Sequence, residues 1–261
     1  MKAKLLLSCM SCLLLAGCAH IPEDAGSHPD DPYEKFNRQM FYFNDRLDQH
    51  VLKPVTLGYR WAVPGEARDC VSNALSNLAE PTTTANSFLQ GKGRDGITSA
   101  FRFLVNTTFG VAGLFDVAEK IGMPKKSEDF GQTLGVWGVG DGPYLVLPVL
   151  GPSGGRDVFR YPLDYATNAG TYLLWNEEWY TAVALAGLTA VDMRSRMIDQ
   201  GLDDMRGNVL DEYVAVREAY RQQRRHDIAD GNLSEAETLE TLTPLSFEDD
   251  EDEQEDAGQA I

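Results

Sequence analysis

The sequence predicts an all-α protein whose amphipathic helices are joined by one irregular hairpin, with no helix able to span a membrane. Three observations carry this reading. Apolar residues recur at helical spacing near both ends of the body, from Tyr33 to Val51 and again beyond Trp175. Strand-helix alternation, which a parallel sheet requires, is nowhere repeated. Between them, Gly131 to Gly155 is dense in glycine and carries Pro143, Pro148 and Pro152, which excludes a helix around Tyr144-Leu145-Val146-Leu147-Pro148-Val149-Leu150.

The chain has 261 residues, 43% hydrophobic and 24% charged, enough to bury a core and too apolar for a wholly disordered protein. Its formal charge of −17 argues against a nucleic-acid partner, because non-specific affinity for phosphate backbones needs cationic surface. Much of that charge lies in Glu248 to Asp256, so the folded part is only moderately acidic.

Residues 1–17 form a lipoprotein signal peptide: Lys2 and Lys4 precede an apolar run, Leu5 to Ala16, too short to cross a bilayer. Leu15-Ala16-Gly17-Cys18 resembles the lipobox of bacterial lipoproteins, which implies that Cys18 is acylated and becomes the mature N-terminus. With Cys9 and Cys12 lost and Cys18 acylated, Cys70 remains alone as a half-buried filler. Residues 18–30 are then an acylated tether and 31–230 the helical body. Residues 231–261 are an acidic tail expected to be disordered.

Within the body, Asp31-Pro32-Tyr33-Glu34 reads as a helix start with Asp31 as N-cap and Glu34 closing a capping box. Tyr33, Phe36, Met40, Phe43, Leu47 and Val51 follow on one stripe, which Phe41 and Tyr42 widen. That stripe either meets apolar material on two sides or is buried between neighbouring helices. Pro54, Pro64 and Pro81 are expected to break the next stretch into short helices. Ile97, Phe101 and Leu104 mark another helix, ended by Gly110 and followed by a short amphipathic piece through Lys120. A helix reaching about Trp137 precedes the hairpin. Beyond it, Trp179 to Val191 is almost wholly apolar, Asp192 and Arg196 are spaced for an i,i+4 pair, and a last helix starts near Asn208. Arg221, Arg224 and Arg225 in its final turns read as a solvated helix end.

Chemical motifs are weak. Gly151-Pro152-Ser153-Gly154-Gly155 matches a nucleophile elbow, with Asp203 and His226 following in hydrolase order, but no parallel sheet is there to support it, so a Gly/Pro/Ser turn is expected. Gly91-Lys92-Gly93-Arg94-Asp95-Gly96 follows a helix rather than a strand, which makes it a turn and not a dinucleotide site. His20, His28, His50 and His226 show no metal-ligand spacing. No enzyme activity, metal or cofactor is expected beyond covalent acyl lipid on Cys18.

One ordered set of segments is more specific. Asp31-Pro32-Tyr33-Glu34-Lys35-Phe36-Asn37-Arg38 is followed by Phe41-Tyr42-Phe43-Asn44, Lys53-Pro54 and Asn86-Ser87-Phe88-Leu89-Gln90-Gly91. Asp129-Phe130-Gly131-Gln132-Thr133-Leu134-Gly135 then leads into Gly142-Pro143-Tyr144-Leu145-Val146-Leu147-Pro148. From Cys18 to about Arg225 the chain resembles the MlaA (VacJ) family of outer-membrane phospholipid-transport lipoproteins, with Phe159 and Arg160 standing where that family usually has small residues.

The resemblance implies a ring-like arrangement of helices on the periplasmic face of the outer membrane, lipid-anchored, with an amphipathic channel. It implies removal of misplaced phospholipids from the outer leaflet, delivery to a soluble periplasmic carrier, upkeep of lipid asymmetry, and association with trimeric porins. Tyr144, Leu145, Leu147 and Val149 are candidates for a mobile gate beside that conduit, with Gly140 and Gly142 as hinges. The alternative is that they plug the core. A different class, a structural lipoprotein docking on an outer-membrane partner without lipid passage, also fits the wide apolar faces.

Overall fold

The computed structural model describes residues 21, 25–26, 31–203 and 210–232; Cys18, most of the tether and the acidic tail lie outside them. Helix α1 spans Glu34–Leu47 and runs through a π-turn, Asp48–Leu52, into α2, Lys53–Ala62. Helices α3, Gly65–Leu89, and α4, Gly93–Thr108, form a long helical hairpin. Two short helices follow, α5, Val117–Lys120, and α6, Phe130–Val136. Strands β1, Tyr144–Leu147, and β2, Gly151–Gly154, then pair antiparallel, with Tyr144 opposite Gly154 and Leu147 opposite Gly151. A 3-10 turn at Asp157–Phe159 leads into α7, Arg160–Thr167, α8, Ala169–Leu173, α9, Trp179–Asp199, and α10, Glu212–Ile228. Among the described residues this two-stranded hairpin is the only sheet, and no helix is long and apolar enough to cross a membrane.

The packing order closes on itself. From α1 it passes through the π-turn to α2, on to α9, α3, α6 and α10, and back through β2 and β1 to α1. The elements therefore form a circuit, as the ring-like expectation requires, rather than a layered core.

Several local expectations are corrected. Asp31 does not cap α1 with its side chain: the helix begins at Glu34, and the Asp31 carboxylate is wholly buried, accepting from Asn37 Nδ2 (2.8 Å), Tyr213 Oη and Arg217. Glu34 is turned to Arg38 (2.8 Å) and to the Gly26 N–H (2.9 Å), so no capping box forms. Pro54 sits at the start of α2 just after the π-turn, where the backbone ladder is already irregular, and does not interrupt the helix. Pro81 lies inside α3, a single 25-residue helix. Its lost backbone bond costs about 3 kcal/mol, a penalty offset because α3 is held by α4, α6, α7, α8 and α9. Pro64 alone separates two helices. The last helix starts at Glu212, capped by the Asp211 carboxylate on the Tyr213 and Val214 N–H groups; Asn208 lies outside the described residues.

Among the described residues the one aromatic-aliphatic core is small: Met40, Phe41, Tyr144, Val146 and Tyr213, with Tyr220 and Val214 against it. Its rings meet edge to face, Tyr144 lying 6.1 Å from Tyr213 and Phe41 5.8 Å from Tyr213.

Candidate lipid-handling site

Helix α4 shows how the rest of the ring is built. Ile97, Phe101 and Leu104, the stripe that would ordinarily face a core, are each more than half exposed, while Ser99, Arg102 and Asn106 on the opposite side are buried. Arg102 is sustained there by Glu80 (2.8 Å), Asp116 (2.7 Å) and the Met123 carbonyl (2.6 Å). Helix α9 repeats the pattern: Trp179, Tyr180, Val183 and Met193 are exposed, whereas Asp192, Arg194 and Ser195 are buried. Arg194 forks onto Asp48 (2.8 and 2.9 Å) and Asp203 (2.8 Å). Helix α2 buries Thr56 and exposes Val55, Leu57 and Trp61.

Over the described residues, 26 buried residues are polar or charged and 7 are hydrophobic, while 35 large hydrophobic residues are exposed. Soluble proteins show the reverse. An apolar exterior of this extent needs a covering of lipid or protein. The exposed Trp61, Trp175, Trp179, Tyr165, Tyr172 and Tyr180 are the side chains that favour a membrane-water interface.

The hairpin is fastened to α1 by two asparagines seven residues apart. Asn37, fully buried, donates Nδ2 to the Tyr144 carbonyl (2.9 Å) and accepts the Val146 N–H (2.9 Å). Asn44 does the same one step along, donating to the Leu147 carbonyl (2.9 Å) and accepting from the Val149 N–H (2.7 Å). Two amides thus imitate a strand beside β1. Both lie within the family-like segments of the sequence, yet nothing in their spacing reveals that their partners are more than 100 residues away.

The base of the hairpin is held by charge. Arg224 binds Asp129 (2.6 and 3.0 Å) and Asp157 (3.0 Å from both Nε and Nη2), so it is a buried tie and not the solvated helix end expected of it. Tyr220 Oη donates to Asp157 (2.6 Å), and Arg156 bridges Asp157 (3.1 Å), Asp141 (2.6 Å) and the Val139 carbonyl (3.1 Å). Burial pushes the Asp157 carboxyl up, but the Tyr220 hydroxyl and the Arg224 guanidinium outweigh it and leave it below the ordinary carboxylate range. Gly131 is required beneath this cluster, since a Cβ there would lie 2.5 Å from Asp157 Oδ1 and 2.6 Å from Arg224 Nη2. Nearby Asp164 goes the other way, raised to about 6 by burial and by the charge of Asp129.

The candidate gate residues divide between the two faces of the hairpin. Tyr144 is buried in the core with Val146, whereas Leu145 and Leu147 are half-buried on the other face. Val149 is exposed at the turn in the left-handed region, φ 70°. Gly142 is also left-handed, φ 66°, while a Cβ on Gly140 would meet nothing within 4 Å. Ser153 lies in β2, not in a turn, and is wholly buried with its hydroxyl on the Gly154 carbonyl (3.4 Å). It is not joined to the other members of a hydrolase triad: Asp203 pairs with Lys53 and Arg194, and exposed His226 lies against Asp227. Lys92 of the glycine-rich turn is bound to Glu128 and Asp230. Cys70 is half-buried, as expected.

Comparison with known proteins identifies the family. The MlaA lipoprotein family model matches residues 29–227. The chain belongs to the MlaA lipoprotein family. An MlaA relative from Escherichia coli K12, an intermembrane phospholipid transport system lipoprotein, is 37% identical over 255 residues, 96% of this chain and 97% of the relative. One from Haemophilus influenzae Rd with the same description is 31% identical, covering 90% of this chain and 95% of the relative. A structure solved in work on the structural basis for maintenance of bacterial outer membrane lipid asymmetry superposes with a TM-score of 0.67 at 36% identity, over 76% of this chain and 98% of that one. The MlaA assignment accords with a helical circuit interrupted by a single small hairpin.

Proposed function

We propose that this protein is the outer-membrane lipoprotein of an intermembrane phospholipid transport system, removing misplaced phospholipid from the outer leaflet and so maintaining lipid asymmetry. The observation that carries the proposal is the inversion of the helices. Exposed apolar faces give the helices a hydrophobic exterior that suits the acyl region of a leaflet, each such side chain gaining about 1.5–3 kcal/mol on full burial, while polar and charged residues are buried between them. A phospholipid needs both environments at once, since each methylene kept from water is worth about 0.8 kcal/mol and its head group must stay solvated.

In this reading Cys18, acylated, fixes the body to the periplasmic side of the outer membrane, a trimeric porin holds it in place, and a soluble periplasmic carrier takes the lipid. The hairpin is the gate: Leu145, Leu147 and Val149 line its outward face and tip, Tyr144 anchors it, and Gly140 and Gly142 are its hinges. Support comes from its two-point attachment through Asn37 and Asn44, with the residues before it free of close neighbours at Gly138 and Gly140. No covalent step is needed, so Ser153 has no catalytic part.

The test is lipid content and transfer. Purified in detergent, the protein should retain phospholipid in stoichiometric amount; none in any detergent favours docking without lipid passage. The Gly140→Ala, Gly142→Ala double variant should remain folded and pass lipid more slowly, and unchanged transfer removes the hinge.

A further inference from the structure

The base of the hairpin and α10 enclose a cavity of about 150 Å³, bordered by Asp141, Gly142, Tyr144, Ser153, Arg221 and Arg225 among others. Its acids are already matched. Asp157 is bound by Arg224, Arg156 and Tyr220, and Asp141 by Arg156. Arg225, by contrast, has no ion pair or side-chain hydrogen bond among the described residues, and its spacing from Arg221, one helical turn, brings both onto the same face of α10. With those acids matched, Arg225 is a cation of the cavity without a counter-charge among the described residues.

Its wall also holds a donor without an acceptor. Tyr144 is 2% exposed, and its hydroxyl has no hydrogen-bond partner among the described residues. A buried hydroxyl left in that condition costs about 1–3 kcal/mol, and a ligand oxygen would repay it. A guanidinium and an unpartnered hydroxyl donor beside one small space are the chemistry that receives the non-bridging oxygens of a phosphate.

We propose that this cavity binds the phosphate of a phospholipid head group, an inference that rests on the transport reading and supplies its polar station. The same chemistry would hold free phosphate. The lipid is favoured by what stands at the mouth: Asp141 and Gly142 are exposed there, and Trp137 and Val139, just before them in the chain, are exposed apolar residues on which acyl chains can lie. The station sits beside the hinge, so a bound head group and the hairpin share one support.

The experiment is calorimetric titration of the full chain in detergent with dihexanoylphosphatidylglycerol below its micellar concentration, and separately with sodium phosphate, using wild type, Arg225→Gln and Tyr144→Phe. The lipid should bind wild type more tightly than inorganic phosphate does. Arg225→Gln should weaken lipid binding about tenfold and Tyr144→Phe several-fold. Tyr144→Phe should melt at or above the wild-type temperature, because the lost hydroxyl has no partner in the protein; this separates lost binding from lost folding. Equal affinities in all three proteins overturn the site, and inorganic phosphate binding as tightly as the lipid overturns the head-group assignment. In cells lacking the gene, full rescue by Arg225→Gln together with unchanged affinity rejects the site and leaves transport standing. Affinity lost in Arg225→Gln, with no effect of deleting the gene, rejects transport and leaves the site.

Discussion

Replacing Asn37 with Ala should destabilise the protein far more than replacing Asn44, although each asparagine makes the same two bonds to the β1 backbone. Asn37 is fully buried, and its loss strands the Tyr144 carbonyl and the Val146 N–H where water does not reach, besides removing one partner of Asp31. Each stranded buried group costs about 1–3 kcal/mol, so Asn37→Ala should lose roughly 3–5 kcal/mol. For a domain of this size that corresponds to a fall of about 10 °C in melting temperature. Asn44 serves the Leu147 carbonyl and the exposed Val149 N–H, where water can substitute, and Asn44→Ala should cost under about 1 kcal/mol. Its effect should appear locally, as faster amide exchange at Val149 with Val146 still protected. Thermal melts by circular dichroism in detergent, with residue-resolved hydrogen exchange, measure both. Equal costs for the two variants, or an Asn37→Ala loss below about 0.5 kcal/mol, would refute the argument that burial sets the worth of the clamp.

Further consequences are as specific. Arg224→Met leaves Asp129 and Asp157 buried without their main cation and should cost about 3–5 kcal/mol by chemical denaturation. Gly131→Ala, which drives a methyl group into the same cluster, should be destabilising in the same assay by at least about 1 kcal/mol. Phe101→Glu lies on the exposed face of α4, so it should leave the melting temperature in detergent unchanged while lowering the protein's partition onto phospholipid vesicles. Asp164, raised to about 6 when folded, favours its protonated form in the native state: its contribution is fully present at low pH and is lost as pH rises through 6. Asp164→Asn should therefore match wild type near pH 4 and exceed it by about 2 kcal/mol at most near pH 7, read from denaturation curves at both values. The Asp129 and Asp157 carboxyls, held below their ordinary range, titrate beneath that window.

How much of this was legible in the sequence depends on how far apart the partners are. The stripe through Ile97, Phe101 and Leu104 gave α4, and the glycines and prolines after Gly131 gave the hairpin, because both signals are local. The same stripe could not say which face was outside, since periodicity defines faces and not the solvent beyond them. The role of Arg224 is hidden for a related reason: its carboxylates stand 95 and 67 residues away, and from α10 alone a cation in the last turns looks like an ordinary dipole partner. Asp31 is a good local cap that tertiary partners on α10 claim instead. Pro81 breaks helices in isolation, and α3 survives it only because five other helices grip it. Asn37 and Asn44 show most plainly what was hidden, since hydrogen bonds to a backbone that is itself irregular leave no periodic trace.

The central claim, movement of phospholipid out of the outer leaflet, is tested most directly in intact cells carrying the deleted gene, the restored gene, or the restored Ser153→Ala form. A phospholipase added from outside reports the phospholipid exposed at the surface. Deletion should raise that amount and both restored forms should return it to the wild-type level; a deletion that leaves surface phospholipid unchanged would contradict the claim.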